Sequence, residues 1–263
     1  MDDIAKYNRE RWNALVQADI GYSRPFLNLD RSAARKLLDP YDIMGDIAGK
    51  EVLCLAGGGG QQSAAFAILG AQVTVLDLSD SQLTQDRLAA NHYGVQIRTE
   101  QGDMRDITRF ADRSFDLVFQ PYSINFIPDP LSVFQEVARV LRDSGLYHLD
   151  FGNPFLMGMD ERDWTGKGYP LCHVYRDGEV NFNDPNWQVW DRDGNMKEVV
   201  GPREFRHTLG TILNSLISTN FVILGVWDDN LGDPEAEPGS WNHFLAIAPL
   251  FLMLWARLHY GEK

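Results

Sequence analysis

Apolar residues along this chain change their spacing several times, and each change marks an element. Val52, Leu53, Cys54, Leu55 and Ala56 form an unbroken apolar run that ends in four consecutive glycines, Gly57 to Gly60. Such a run bounded by a turn reads as a strand buried on both faces, here over 51–56. The pattern then predicts a helix over 61–69, a strand over 72–77, a helix over 81–93 and strands over 96–99 and 115–120. Leu131, Phe134, Val137, Ala138 and Leu141 recur at helical spacing, so 129–141 reads as the next helix, stopped by Ser144-Gly145 and followed by a strand over 146–151. Strands alternating with helices of this length imply a doubly wound α/β fold, a parallel sheet with both faces covered.

On either side of this block the rhythm differs. Residues up to about Leu38 read as helical and partly aromatic, with Tyr7, Trp12, Tyr22 and Phe26, and Pro25 and Pro40 as breaks. From 153 to 200 the alternation stops. Asp177-Gly178 and Asp193-Gly194 each lie between short runs of valine and aromatic residues, a signature of tight hairpin turns. Thr208 then caps a helix with Leu209, Ile212, Leu213, Leu216 and Ile217 on one face, and Asn220 can take the left-handed conformation that ends it. Strands over 221–227 and 250–257 complete the chain. The expected organisation is one domain, with a helical N-terminal cap (1–45), a core (46–152), an antiparallel insert (153–203) and a C-terminal helix and strands that rejoin the core (204–263). Its 263 residues and 44% hydrophobic content suffice for one substantial core.

Charge narrows the partners. With 24 basic residues against 37 acidic ones the net charge is −13, a field that repels nucleic acid and anionic membranes, and no basic run overrides it. Neither a nucleic-acid nor a membrane partner is expected. Cys54 and Cys172 are the only cysteines, too few for a disulfide framework or a thiolate zinc site, so no metal is expected. The start of the chain lacks the basic and apolar stretches of a secretory leader, and the apolar segment 244–258 is shorter than a membrane span and broken by Pro249. A cytoplasmic protein is the expectation.

The glycine run carries the chemistry. Four residues without Cβ atoms let a ligand approach the backbone at the opening of a helix. About 17 residues beyond Gly60 the second strand ends in Asp77, where a ribose would present its hydroxyls. A nucleoside cofactor follows from that pair. Taken alone, a glycine turn also serves nicotinamide enzymes or a purely structural bend, and the motifs farther along decide between them.

Val52 to Gly60, Asp77, Gly102-Asp103-Met104, Phe115 to Phe119, and Phe134 to Leu141 with Gly145 resemble, in order, the motifs of class I S-adenosylmethionine-dependent methyltransferases. The loop Cys54-Leu-Ala-Gly-Gly-Gly-Gly-Gln-Gln62 and the segment Pro121-Tyr-Ser-Ile-Asn-Phe126 are most similar to a bacterial branch acting on small molecules. Cys54 stands where many relatives carry an acid, and Ala56 where they carry the first glycine. The resemblance implies a Rossmann-like, seven-stranded, mostly parallel sheet and S-adenosylmethionine as cofactor, with S-adenosylhomocysteine as product. It places Ala56, Gly57, Gly58 and Gly60 along the cofactor's amino-acid and ribose region, with Gln61 or Gln62 opening the helix beneath. Asp77 would accept from both ribose hydroxyls and Leu78 cover the adenine. Asp103 would accept from the exocyclic amine beside Gly102, Met104 would supply apolar contact, and Gln120 would lie beside the methionine moiety.

An activated methyl group needs no protein nucleophile, so in-line positioning can suffice. Where the acceptor is a hydroxyl or protonated amine, a base within reach would help, and His207 is the first candidate, against the alternative of a structural histidine. His148 reads as a packing residue of a core strand; His173 lies in the insert. Tyr122 and Asn125 are expected near the methyl acceptor, with Asn153 and Phe155 also following strand ends. Trp164, Tyr169, Tyr175, Phe182, Trp187 and Trp190 either form a lid over an organic substrate or build a small core of the insert. The expected activity is methyl transfer to an oxygen, nitrogen or carbon of a small molecule. A non-catalytic cofactor-binding protein and a nicotinamide-dependent oxidoreductase are the other readings.

Overall fold

The structure, a computed structural model, describes residues 1–181, 185–229 and 231–260. The chain runs through α1 (Asp3–Gln17), α2 (Arg31–Leu38), β1 (Glu51–Leu55), α3 (Gln62–Ile68), β2 (Gln72–Asp77), α4 (Asp80–Tyr93) and β3 (Ile97–Gln101). Then come β4 (Phe115–Gln120), α5 (Pro130–Val140), β5 (Leu141–Gly152), β6 (Gly178–Glu179), β7 (Asn186–Trp190) and β8 (Met196–Val200). The described chain closes with β9 (Phe205–Arg206), α6 (Leu209–Ser218), β10 (Phe221–Asp229), α7 (Trp241–Ile247) and β11 (Phe251–Leu258).

Seven strands form one sheet in the order β10-β11-β5-β4-β1-β2-β3. The pairs of β3, β2, β1, β4 and β5 are parallel, and β11 enters antiparallel between β5 and β10. β1 lies within the parallel part with Val52 to Leu55 fully buried, all four apolar because helices cover both faces there, and only Glu51 at its start is polar. One layer packs Phe134, Val137 and Val140 of α5 and Ile212 and Leu216 of α6 against the sheet; the other packs Ala65 and Phe66 of α3 and Leu83 of α4. Helix starts follow capping chemistry: Ser79, Asp129 and Thr208 accept from the amides of Gln82, Leu131 and Thr211.

Four local expectations change. Ser144-Gly145 does not end a helix, because α5 stops at Val140 and the chain passes directly into β5. Ser144 has φ 63° and lies in an irregularity of the ladder, where Phe115 pairs with Leu141 and then Leu117 with Leu146; the turn residues make a bulge inside the strand. Asp193-Gly194 joins β7 and β8 as a hairpin, but Asp177-Gly178 does not join neighbours, since β6 pairs with the distant β9. The Asp177 carboxylate instead accepts from Thr208 N and Thr211 Oγ1 at the start of α6. Ile217, placed on the core face of α6, is exposed. A short helix, α7, capped by Ser240, interrupts the apolar C-terminal segment. Among the described residues no helix is long and apolar enough to cross a membrane.

Candidate active site

At the carboxyl ends of the central strands, where open α/β sheets bind ligands, lies a cavity of about 1010 Å³. One wall of it begins at the glycine loop. Ala56 takes φ 48° and donates its amide to Leu76 O at 2.7 Å. Gly58 donates its amide to Asp77 Oδ2 at 2.9 Å. A Cβ on Gly58 would stand 2.7 Å from Gln82 Cβ and 2.9 Å from Asp77 Oδ2, so only glycine lets the loop lie this close to the acid. Ala56, Gly58, Gln61, Asp77, Leu78, Gly102, Asp103 and Met104 all lie on the wall, with Gln62 beside them.

Three of the expected cofactor contacts are elsewhere. Gly57 packs under Pro121, whose ring carbons would be 3.3 Å from a Cβ at that position. Gly60, at φ 72°, is pressed against the backbone of Gln85, where a Cβ would come within 2.6 Å of the carbonyl oxygen. Gln120 is fully buried behind the wall: it donates to Ser123 Oγ at 3.0 Å and accepts from the Tyr147 hydroxyl at 2.5 Å. Its side chain faces the core because alternate residues of a strand face opposite ways and β4 is covered on both. Gly60→Ala is therefore expected to lower the melting temperature by several degrees, left-handed strain of about 1 kcal/mol adding to the clash, as differential scanning calorimetry would show.

A second buried acid, which the sequence reading passed over, completes the loop. Asp86 of α4 accepts from Gly59 N and Gly60 N, both at 3.1 Å, and from Ser63 Oγ at 2.5 Å. The visible signal is an acid on the buried face of a helix, in step with Leu83 and Ala89. Asp103 is held differently. Arg105 bridges it to Asp2, the cap of α1, with Nη2 to Asp103 Oδ2 at 2.6 Å and Nη1 to Asp2 Oδ2 at 2.7 Å. The Asp103 end of the cavity is thus tied to the N-terminal segment.

Across the cavity the wall turns aromatic and sulfur-rich. Trp12 and Tyr22 of the N-terminal segment, Phe126, and Trp187 and Trp190 of the insert reach it, along with Met157 and Met159. Trp12 stands edge-on to Phe126 at 5.2 Å between centroids and to Trp187 at 6.3 Å, a favoured arrangement of aromatic quadrupoles. The other aromatics of the insert do different work. Trp164 and Tyr169 pack with His243 and Phe244 of α7, and Tyr175 stacks on the exposed Phe155. Tyr7 is off the wall, and Phe182 lies outside the described residues.

The expected acceptor-side residues divide. Tyr122 is on the wall, its hydroxyl donating to Glu204 Oε2 at 2.8 Å. Asn125 is not: its amide nitrogen donates to Phe205 O at 2.9 Å and its oxygen accepts from Gly152 N at 2.8 Å, tying β5 to β9. His207 is also off the wall, 1% exposed, with Nε2 3.2 Å from Ile124 O and its pKa lowered by burial. It follows β9 and packs behind the turn that carries Asn125, which removes it from contact with a ligand. His148 stacks on Phe119 at 3.9 Å inside the core, pushed down to about 3 by burial; Asn153 donates to Pro249 O, and His173 is half-buried in the insert. Glu204, 7% exposed and on the wall, lacked any sequence signal, since only the fold brings it to Tyr122. Among the described residues no cluster of histidine, cysteine and acidic side chains could hold a metal.

Burial raises three site acids, Asp77 to about 6, Asp86 to about 7 and Glu204 to about 7, each shift opposed by hydrogen bonds to the carboxylate. A folded carboxyl that holds its proton more tightly than the unfolded chain stabilises at low pH and loses that contribution as pH rises through the folded value. His148, lowered to about 3, acts oppositely, but its effect is complete near the unfolded value of about 6.5. The urea midpoint of the ligand-free protein is accordingly expected to fall between roughly pH 6.5 and 8.

A family model described as a methyltransferase domain matches residues 53–149. An uncharacterised methyltransferase of Bacillus subtilis, YbaJ, is 34% identical over 193 residues, which cover 73% of this chain and 74% of that one. A ubiquinone biosynthesis O-methyltransferase of Xanthomonas oryzae is 34% identical over 53% of this chain and 61% of its own length. In fold, the chain is similar to a crystal structure of an S-adenosylmethionine-dependent methyltransferase from Mesorhizobium loti, with a TM-score of 0.65 and 24% identity over 88% of this chain and all of the other. Shared sequence over most of both chains in one case, and a shared overall fold in another, lead to one conclusion: this chain belongs to the class I methyltransferase family.

Proposed function

We propose that the protein transfers a methyl group from S-adenosylmethionine to an oxygen, nitrogen or carbon of a small, largely apolar organic molecule. The observation that carries this reading is one cavity with two unlike ends, a glycine-and-acid crevice around Asp77 and an aromatic, methionine-lined compartment walled by the N-terminal segment and the insert. Gly58 and Asp77 fit a ribose, because the loop lies within hydrogen-bond distance of the carboxylate and has no room for a side chain. Gln82 adds a buried amide oxygen with no hydrogen-bond partner on the same wall, an acceptor that a polar cofactor group would satisfy. The cofactor brings an activated methyl group; the chain's residues orient it, exclude water and hold the acceptor in line.

Asp103 and Arg105 bring α1 over the crevice, and Trp12, Tyr22 and Trp187 would shield the reacting atoms. Aromatic and methionine side chains favour an acceptor with a flat or flexible apolar body. Acidic groups on that side, Asp150, Asp160, Asp191 and Glu204, disfavour a polyanion such as RNA or DNA. Titration calorimetry with S-adenosylhomocysteine, followed by labelled methyl transfer into a metabolite extract with mass identification of the product, tests the reading. Absence of S-adenosylhomocysteine binding would overturn it.

A further inference from the structure

Glu204 has an unusual setting among the acids of the wall. Asp77 is engaged by backbone amides, Asp103 by Arg105, and Asp191 by Lys197 at 3.0 Å. Glu204 has no cation within ion-pair distance among the described residues; Tyr122 donates to its Oε2, and Oε1 accepts no hydrogen bond there. Both side chains stand where the ends of β4 and β5 meet the start of β9: Tyr122 follows β4, Glu204 precedes β9, and a Cβ on Gly152 would lie 3.3 Å from the Tyr122 hydroxyl. Glycine at the end of β5 thus makes room for the phenol. A buried carboxylate with one oxygen fixed and the other unengaged, on the wall of the cavity, is arranged to accept a proton.

We propose that Glu204, oriented by Tyr122, is the general base of the methyl transfer, and that the acceptor therefore carries a hydrogen on its attacking oxygen or nitrogen. This rests on the methyltransferase reading above. In the step, a lone pair of the acceptor heteroatom forms the new bond to the methyl carbon, and the carbon–sulfur bond breaks with its electron pair left on sulfur. The acceptor's proton passes to Glu204 Oε1, and the neutral carboxyl later returns it to solvent. Net charge is conserved: the positive charge lost by the donor is balanced by the carboxylate neutralised. The groups facing Glu204 are Tyr122 and, from the N-terminal segment, Tyr22, whose hydroxyl is raised by burial first and by the charge of Glu204 second. Held near 7, the carboxyl is matched to proton transfer at neutral pH.

The test compares the wild-type protein with Glu204→Gln and Tyr122→Phe, using labelled methyl transfer from S-adenosylmethionine into a metabolite extract, and S-adenosylhomocysteine calorimetry on each. Glutamine keeps an acceptor for the Tyr122 hydroxyl, so the fold is preserved. Glu204→Gln is expected to lower kcat about 10²–10⁴-fold, to leave S-adenosylhomocysteine affinity within about twofold and to abolish the acid limb of the rate profile near pH 7. Tyr122→Phe should move that limb to higher pH, because its hydrogen bond holds the Glu204 pKa down. A purely structural tie would leave that limb where it is. Glu204→Gln turning over at the wild-type rate with the wild-type pH profile would overturn the base assignment alone. A wild-type protein that binds no S-adenosylhomocysteine, or labels nothing in the extract, would overturn the methyltransferase reading and this inference with it.

Discussion

Asp77→Ala is expected to weaken S-adenosylhomocysteine binding by at least about 100-fold while the protein stays folded. The carboxylate ends β2 on the cavity wall, where Oδ2 accepts from Gly58 N at 2.9 Å and Oδ1 from Ser79 N at 2.8 Å. Each oxygen retains a second lone pair that the two ribose hydroxyls would use. Charge-assisted hydrogen bonds contribute roughly 1.5–3 kcal/mol each, so losing two costs about 10²–10⁴ in affinity. Gly58, on the cavity wall, would turn to water, and only the buried Ser79 amide would lose its partner outright, which limits the cost to the fold. A pH dependence accompanies the effect. Burial holds the free carboxyl near 6, and the ribose requires an acceptor, so affinity should fall by up to about tenfold per unit as pH drops below that value. Calorimetry at pH 5 and 7.5 reads both effects, and an alanine variant that binds as tightly as wild type would remove Asp77 from the ribose site.

Asp86→Ala should instead act on stability. Three donors converge on that side chain, from Gly59, Gly60 and Ser63, and all lose their partner in a buried setting. At about 1–3 kcal/mol for each unsatisfied group, partly relieved by relaxation, a loss of about 3–5 kcal/mol is expected. That corresponds to a melting temperature lower by roughly 10 °C for a domain of this size. S-adenosylhomocysteine should rescue part of the loss, since a ligand bound only by the folded state adds to its stability. Thermal unfolding with and without the ligand measures this, and an unchanged melting temperature would show that the loop does not depend on the acid.

The sheet was legible because its strands are buried on both faces and leave continuous apolar runs; β2 and β4 have the bounds that the pattern predicts. The glycine loop was legible for a similar reason, since left-handed and close-packed backbone admits few residue types. Turn residues were less informative. Asp-Gly at 193–194 makes the expected hairpin, whereas at 177–178 the aspartate is used to cap α6, and local sequence cannot tell a turn former from a remote cap. Side-chain direction was the largest gap. Gln120, Asn125 and His207 occupy the right stretches of chain, yet each turns inward to satisfy a neighbouring carbonyl, amide or hydroxyl. Glu204 shows the reverse, as its meeting with Tyr122 spans 82 positions and leaves no periodic trace.

Strand β11 lies between β5 and β10 although it follows both in the chain. During synthesis on the ribosome, the open edge of β5 must therefore wait for residues 251–258, and β10 has no place in the sheet until they emerge. Pairing across such sequence separation is slow to form and leaves unpaired strand edges exposed meanwhile. Chains released before that point would carry the whole glycine loop and still present a sticky margin, so nascent polypeptides halted near residue 245 would be clients for chaperones.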